Sequence, residues 1–327
     1  MKQKKITTIT ARLIMKKLKG NVRKSLILLT LTVLAVTQAN AQFEPQFTQY
    51  MYNEMFINPA YAGSREHMAM TALYRNQWVG IEGAPKTQTF SAHTPLRNEK
   101  IGVGLNLLHE EIGVTKDLSV FGNYAYRIPM QKGFFSMAVS GGIIHHQEQL
   151  LEVKTQDQGD YSFMGTPKLT VPNVGFGTYF SSRHYYVGLS IPRMLQNKVD
   201  AVTGKGTNKM NFSYWHYYLM GGYVFNLNDN VKLKSTAMLK VVSGSPVIAD
   251  LGAHILLNEV LWLGGSYRTN DSWAAIMQIQ LNKQLRLGYS YDYTLTQLNQ
   301  FNNGTHEITL GYDFSFDKSK VVTPRYF

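Results

Sequence analysis

The stretch RLGYSYDYT, Arg286 to Thr294, decides how the rest of the chain is read. Side chains alternate between the two faces of a strand, so Leu287, Tyr289, Tyr291 and Tyr293 share one face. Arg286, Gly288, Ser290, Asp292 and Thr294 share the other. EITLGYDFSF repeats the pattern just downstream: Ile308, Leu310, Tyr312, Phe314 and Phe316 oppose Glu307, Thr309, Gly311, Asp313 and Ser315. Further back, VKLKSTAMLKV sets Val231, Leu233, Ala237, Leu239 and Val241 against Lys232, Lys234, Thr236 and Lys240. Each segment therefore predicts a strand with one apolar and one polar surface.

Such strands pair into a soluble sandwich or a membrane barrel, and three features favour the barrel. The segments run to about nine to twelve residues, the length a tilted strand needs to cross a bilayer. Aromatic residues gather towards segment ends, as at Trp262, Tyr267, Trp273, Tyr293 and Phe316, where interfacial girdles lie. Connector lengths are also sorted. Tight links follow the even-numbered strands, near Pro95, Pro129, Ser181, Asn226, Asn258 and Asn282. The longest follow odd-numbered ones, around Leu150 to Val171, Pro192 to Met210 and Thr294 to Gly304. This matches short periplasmic turns and long exterior loops, with both termini in the periplasm. The expected fold is an all-β transmembrane antiparallel outer-membrane barrel of about fourteen strands, spanning residues 66–316. A closed barrel leaves no strand edge unpaired in lipid, and its inner face is free to be polar. In a sandwich those same polar faces would leave unpaired groups in the core.

The amino-terminal sequence points to the same compartment. Residues before Gln42 carry nine Lys or Arg and no acid. The apolar stretch LILLTLTVLAV and an Ala-x-Ala ending at Ala41 complete a signal-peptide pattern over residues 1–41. Met15 serves as well as Met1 for its start. Without the leader, 24 basic residues face 21 acidic ones, so the formal charge of +12 nearly vanishes and a nucleic-acid role loses its support. The absence of cysteine excludes disulfide stapling and lipoprotein anchoring.

Little catalytic chemistry stands out. His145 and His146 with Glu148, and His109 with Glu110 and Glu111, have metal-ligand residue types, but adjacent strand residues face opposite ways and favour a solvation role. The glycines of IGVGLNLL and VGFGTYF lie in strands and there relieve crowding or bend the wall. Lys232, Lys234 and Lys240 line a lumen as anion-attracting groups or, more simply, as inward residues paired with acids such as Asp292 and Asp313. No enzyme, cofactor or metal is expected.

One segment fits neither strand nor helix. QYMYNEMFINPAYAGS, Gln49 to Ser64, is followed by ALYRNQWVGIEGAPKTQTFSAHTPL and then by the alternating strands. These words, above all Asn58-Pro59-Ala60-Tyr61-Ala62-Gly63 and Arg75-Asn76-Gln77-Trp78, together with the ending TPRYF, resemble the PorP/SprF family. The resemblance spans the mature chain. It implies an outer-membrane component of the type IX secretion system of Bacteroidetes bacteria, tied also to gliding motility. Its expected partners are other secretion components, outer-membrane lipid and a cognate exported surface protein, while the alternative role is a passive diffusion channel.

The resemblance also gives residues 42–65 a place, as a plug-like segment entering from the periplasm to pack inside the barrel or beneath its rim. Tyr50, Tyr52, Asn53, Asn58, Pro59, Tyr61, Gly63, Arg75 and Trp78 are the expected plug or docking residues. Asn58 before Pro59 is biased to an extended or turn conformation, and the tyrosine hydroxyls are expected to meet polar wall residues. The tail 317–327, with Arg325, Tyr326 and Phe327, is expected to contact the periplasmic side or a partner. Phe316 is the expected assembly signal.

Overall fold

The computed structural model describes residues 44–65, 67–96, 99–152, 166–199 and 206–314. All but 244–246 of these belong to one compact unit, which is the subject below. Its first strands are β1 (Met68–Asn76), β2 (Lys86–Pro95), β3 (Ile101–Ile112) and β4 (Thr115–Met130). Then come β5 (Gly133–Glu148), β6 (Lys168–Ser182), β7 (Tyr185–Ile191), and the short β8 (Leu195–Val199) and β9 (Gly206–Met210). β10 (Tyr217–Asn226), β11 (Val231–Val241), β12 (Ile248–Leu257) and β13 (Leu261–Arg268) follow. β14 (Ser272–Gln280), β15 (Leu285–Thr294) and β16 (Thr305–Phe314) complete the set.

Fourteen of these strands, all but β8 and β9, form a closed antiparallel barrel in sequence order. β1 closes it against β16, from Met68 opposite Phe314 to Asn76 opposite His306. β8 and β9 pair only with each other. They lie in the stretch 192–210 that the sequence marks as a long loop, so that connector contains a ribbon of its own.

Burial separates the two faces of each strand in the sense expected of a membrane barrel. On β16 Glu307, Thr309 and Asp313 are buried while Ile308, Leu310 and Phe314 are exposed. On β15 Ser290, Asp292 and Thr294 are buried while Leu287, Tyr289 and Tyr293 are exposed. The core is thus the polar lumen, and the apolar face is the outer belt. Aromatic rows edge that belt: Tyr267 stands opposite Trp273, and Trp273 opposite Tyr293, at one end. Tyr185 and Tyr223 stack with centroids 6.4 Å apart at the other.

The even-numbered connectors expected to be tight are so, at 96–100, 131–132, 183–184, 227–230, 258–260 and 281–284. The opposite end is mixed. It holds the long connectors 149–167, 192–216 and 295–304, but also two hairpins, 113–114 and 269–271. Those hairpins turn on left-handed backbone at Gly113 and Asn270, residue types that adopt it readily.

Candidate functional site

The lumen is occupied by the chain's own residues 44–65. Asn and Pro prevent a continuous helix, and three one-turn 3₁₀ helices form instead, Tyr50–Tyr52, Glu54–Phe56 and Pro59–Tyr61. Asn58 caps the last: its Oδ1 accepts from the Ala60 amide at 3.0 Å, and Pro59 occupies the first helical position, where no amide is needed.

The segment crosses the barrel from the long-connector end to the short-turn end, and its contacts follow that order. At the long-connector end the Tyr218 hydroxyl donates to Glu44 at 3.0 Å, and Arg268 Nη2 donates to the Phe47 carbonyl at 3.0 Å. The backbone amides of Thr48 and Gln49 both donate to the Glu307 carboxylate, at 3.0 and 2.8 Å. Arg75 bridges the same carboxylate, at 3.0 Å, and Asp292, at 2.9 Å. Thr48 Oγ1 closes the circuit, accepting from Arg75 at 2.9 Å and donating to Asp292 at 2.6 Å. Thr309 Oγ1 donates to Gln49 Oε1 at 2.6 Å.

Midway down, Asn53 donates to Thr89 Oγ1 and accepts from Ser91 Oγ, while the Tyr179 hydroxyl donates to Glu54 at 2.8 Å. Asn106 donates to the Met55 carbonyl and Ser190 to that of Ile57. Near the short-turn end Asn58 Nδ2 donates to the Thr178 carbonyl at 2.9 Å. The Tyr61 ring meets His93 and Tyr179 edge-on, and the Gly63 amide donates to His93 Nδ1. Arg65, paired with Asp313 at 3.2 Å, then leads into β1.

Glycines make room for this path. A Cβ on Gly102 would overlap the Ala62 backbone, and one on Gly104 would overlap Met55. Gly177 and Gly188 would strike Asn58 in the same way. Of the strand glycines noted in the sequence, Gly102, Gly104 and Gly177 therefore relieve crowding against the lumen segment itself, while Gly175 makes room for Pro192 and Ser140.

Several expectations need correction. The segment does not simply enter from the short-turn side: Glu44 lies at the opposite mouth, because the groups that bind the segment's backbone, Glu307 and Arg268, stand at that end. Of the segment's tyrosine hydroxyls, that of Tyr50 meets the wall, at Thr236 of β11, and the other two do not. Tyr52 Oη is buried and makes no hydrogen bond among the described residues, and Tyr61 Oη accepts only from Arg65 on its own segment. Elsewhere the roles are reversed, with wall tyrosines 179 and 218 donating to carboxylates of the segment.

The lysines are not partnered by Asp292 and Asp313, which belong to arginines 75, 65 and 286. Lys232 pairs with Glu259 in a turn at 2.6 Å, and Lys240 Nζ lies 5.7 Å from the Tyr218 ring centroid. Lys234 faces Glu54 and Tyr52. At Glu44 burial pushes upward, but His216, Arg193 and Lys240 outweigh it and hold the carboxyl below the ordinary range.

Of the expected site residues, Tyr50, Tyr52, Asn53, Asn58, Pro59, Tyr61, Gly63 and Arg75 come together in or against this lumen segment. Trp78 does not. It lies in the β1–β2 loop, where its amide donates to Thr305 Oγ1 at 3.1 Å. Arg325, Tyr326, Phe327 and Phe316 lie outside the described residues, as does most of the loop after Leu150. The histidines are strand residues with partners, not loop-tip groups: His146 sits between Asp117 and Glu148, and His109 against Glu111. Among the described residues no group of three His, Cys, Asp or Glu is arranged to hold a metal ion.

Thr48, Gln49 and Glu54, with Asp292, Glu307 and Thr309 opposite, are site residues that pattern reading missed. Their one signal is acids at inward positions of otherwise ordinary strands.

Comparison with known proteins agrees with this architecture. No curated protein sequence matches the chain. Among solved structures the chain resembles the CymD monoaromatic hydrocarbon channel, at 10% identity and a TM-score of 0.50, over 84% of this chain and 94% of that one. It also resembles the Acinetobacter baumannii outer membrane protein Omp33, at 9% identity and a TM-score of 0.45, over 77% and 100%. At 10% identity the likeness to CymD concerns the fold alone. The family model for the type IX secretion system membrane protein PorP/SprF matches residues 39–312. The chain is an integral outer-membrane β-barrel and belongs to the PorP/SprF family.

Proposed function

We propose that this barrel serves type IX secretion by holding or handing on a cognate exported protein at its exterior face, with its lumen closed by its own residues 44–65. Family membership supports the secretion role, and the filled lumen is the observation that separates it from a channel. A diffusion channel needs a continuous water path. Here the interior carries Tyr50, Met51 and Met55, each buried to at least 98%. Exterior loops on a rigid wall suit recognition, because they vary without disturbing the strands. The short-turn end is then periplasmic and the long-connector end exterior. Residues 1–41 act as a cleaved leader, and the client is a large surface protein of adhesin type that serves attachment or gliding. Fold and family are those of a secretion barrel rather than of an enzyme family.

The experiment is a comparison of surface and medium proteins between a deletion strain and its parent. Loss of one or a few large proteins supports the client-specific role and identifies the client. A broad loss marks a general secretion component. An unchanged protein profile with reduced solute uptake replaces this reading with the channel.

A further inference from the structure

The outer face carries a feature unrelated to the lumen. Strand register sets Asn76 opposite Lys86, Lys86 opposite Glu111 and Glu111 opposite Lys116. All four point outward, because their strand neighbours Arg75, Thr87 and Glu110 are buried on the inner side. Two residues further along the same outward faces stand Tyr74 and Leu118, both exposed. The row therefore marks the height at which the lipid-facing belt turns from apolar to polar.

The β1–β2 loop, residues 77–85, folds over this row and encloses an alcove of about 530 Å³. Asn76, Trp78, Ile81, Glu82, Lys86 and Glu111 line it, so its strand-borne lining belongs to the barrel's outer face and not to the lumen. The loop is held in one shape. The Gln77 amide donates to the Pro85 carbonyl at 3.0 Å, and Val79 exchanges two backbone hydrogen bonds with Asn303 and Gly304, at 2.7 and 2.9 Å. The Gly113 amide ties Gly83 to the next hairpin at 2.8 Å. Trp78 itself has φ +49°, a left-handed conformation costly for a bulky residue and maintained here by these ties.

The lining chemistry is specific. Lys86 has no ion-pair partner among the described residues, whereas Glu111 is matched by Lys116 and His109, each at 3.3 Å. The alcove thus offers an unmatched ammonium, an indole, an amide and an exposed carboxylate from Glu82. An ammonium binds phosphate, an aromatic face packs on a sugar ring, and carboxylate and amide take sugar hydroxyls.

We propose that this alcove holds the phosphorylated sugar headgroup of an outer-leaflet glycolipid. Its height at the top of the apolar belt places a headgroup there while the acyl chains run down past Tyr74 and Leu118. The inference rests on the proposed orientation, with the long-connector end exterior, and not on the client role.

The test uses the purified full-length barrel in detergent, titrated separately with rough-type lipopolysaccharide, phosphatidylglycerol and inorganic phosphate, with bound species read by native mass spectrometry. Lipopolysaccharide is expected to bind in preference to the other two. Lys86→Ala is expected to weaken it about tenfold, while Lys283→Ala, an exposed lysine in the turn 281–284 far from the alcove, leaves it within about twofold. Equal loss in both variants, equal binding of phosphatidylglycerol or phosphate, or no bound lipopolysaccharide would each overturn the proposal. So would a dimer of the barrel that dissociates on Lys86→Ala, which would make the alcove a contact between two copies.

Discussion

In the proposed orientation, with the long-connector end exterior and the short-turn end periplasmic, the two ends of the lumen segment are held by different physics. At the exterior end, Thr48 and Gln49 present backbone amides to Glu307, and Arg75 bridges that carboxylate and Asp292. At the periplasmic end the segment is fitted by shape: Tyr61 lies among His93 and Tyr179, and Ala62 passes over Gly102 with no room for a side chain between them. Arg65 and Asp313 fasten that end, but it is also tied covalently to β1. The exterior end has no covalent tie to the wall and depends on its charges. A buried charge network is costly to break, because removing one member strands the others without water. Shape contacts fail more gradually. The exterior end is therefore the one that loss of a single charged partner should release.

The sharpest break in this comparison is Arg75→Met. It leaves Asp292 and Glu307 buried and unpaired beside each other, a loss of about 3–5 kcal/mol. Thermal unfolding in detergent should fall strongly, and the exterior part of the segment should become susceptible to protease. Glu307→Gln comes next: it weakens two charge-assisted hydrogen bonds to the segment's backbone, for about 2 kcal/mol. At the other end Asn58→Ala removes a helix cap and the bond to Thr178, about 1 kcal/mol in the same unfolding assay. If Asn58→Ala proves more damaging than Arg75→Met, the comparison is the wrong way round.

The smallest effect is one of pH. Glu44 is held below the ordinary carboxylate range, so its contribution is present at neutral pH and lost as pH falls through and below that range. Acid should loosen the exterior end first, measured as protease cleavage near Glu44, and Glu44→Gln should remove that acid dependence.

The barrel was legible because alternation is a local signal. Each strand such as Arg286–Thr294 declares its two faces without reference to any other part of the chain. The lumen segment could be singled out by its irregularity, with Asn58-Pro59 and Gly63 breaking both periods. Its partners could not be found, because Thr48 and Glu307 are 259 residues apart and nothing local marks them as neighbours. Direction was lost for the same reason: the side chains that fix the exterior end lie on β1, β13, β15 and β16. The lysines were assigned to wall acids because a sequence pattern counts only the wall, whereas Lys234 meets an acid of the segment inside it. Trp78 shared a motif with Arg75 but not a site, since Asn76 and Gln77 carry the chain from a lumen position on β1 into the β1–β2 loop.

The central claim is that the barrel is closed by its own residues 44–65. Single-channel recording in planar bilayers tests it most directly, on the full-length protein and on a variant lacking residues 44–64 whose barrel still resists unfolding in detergent. The account predicts a silent wild-type protein and stable open steps from the variant. Stable open steps from the wild-type protein would contradict it.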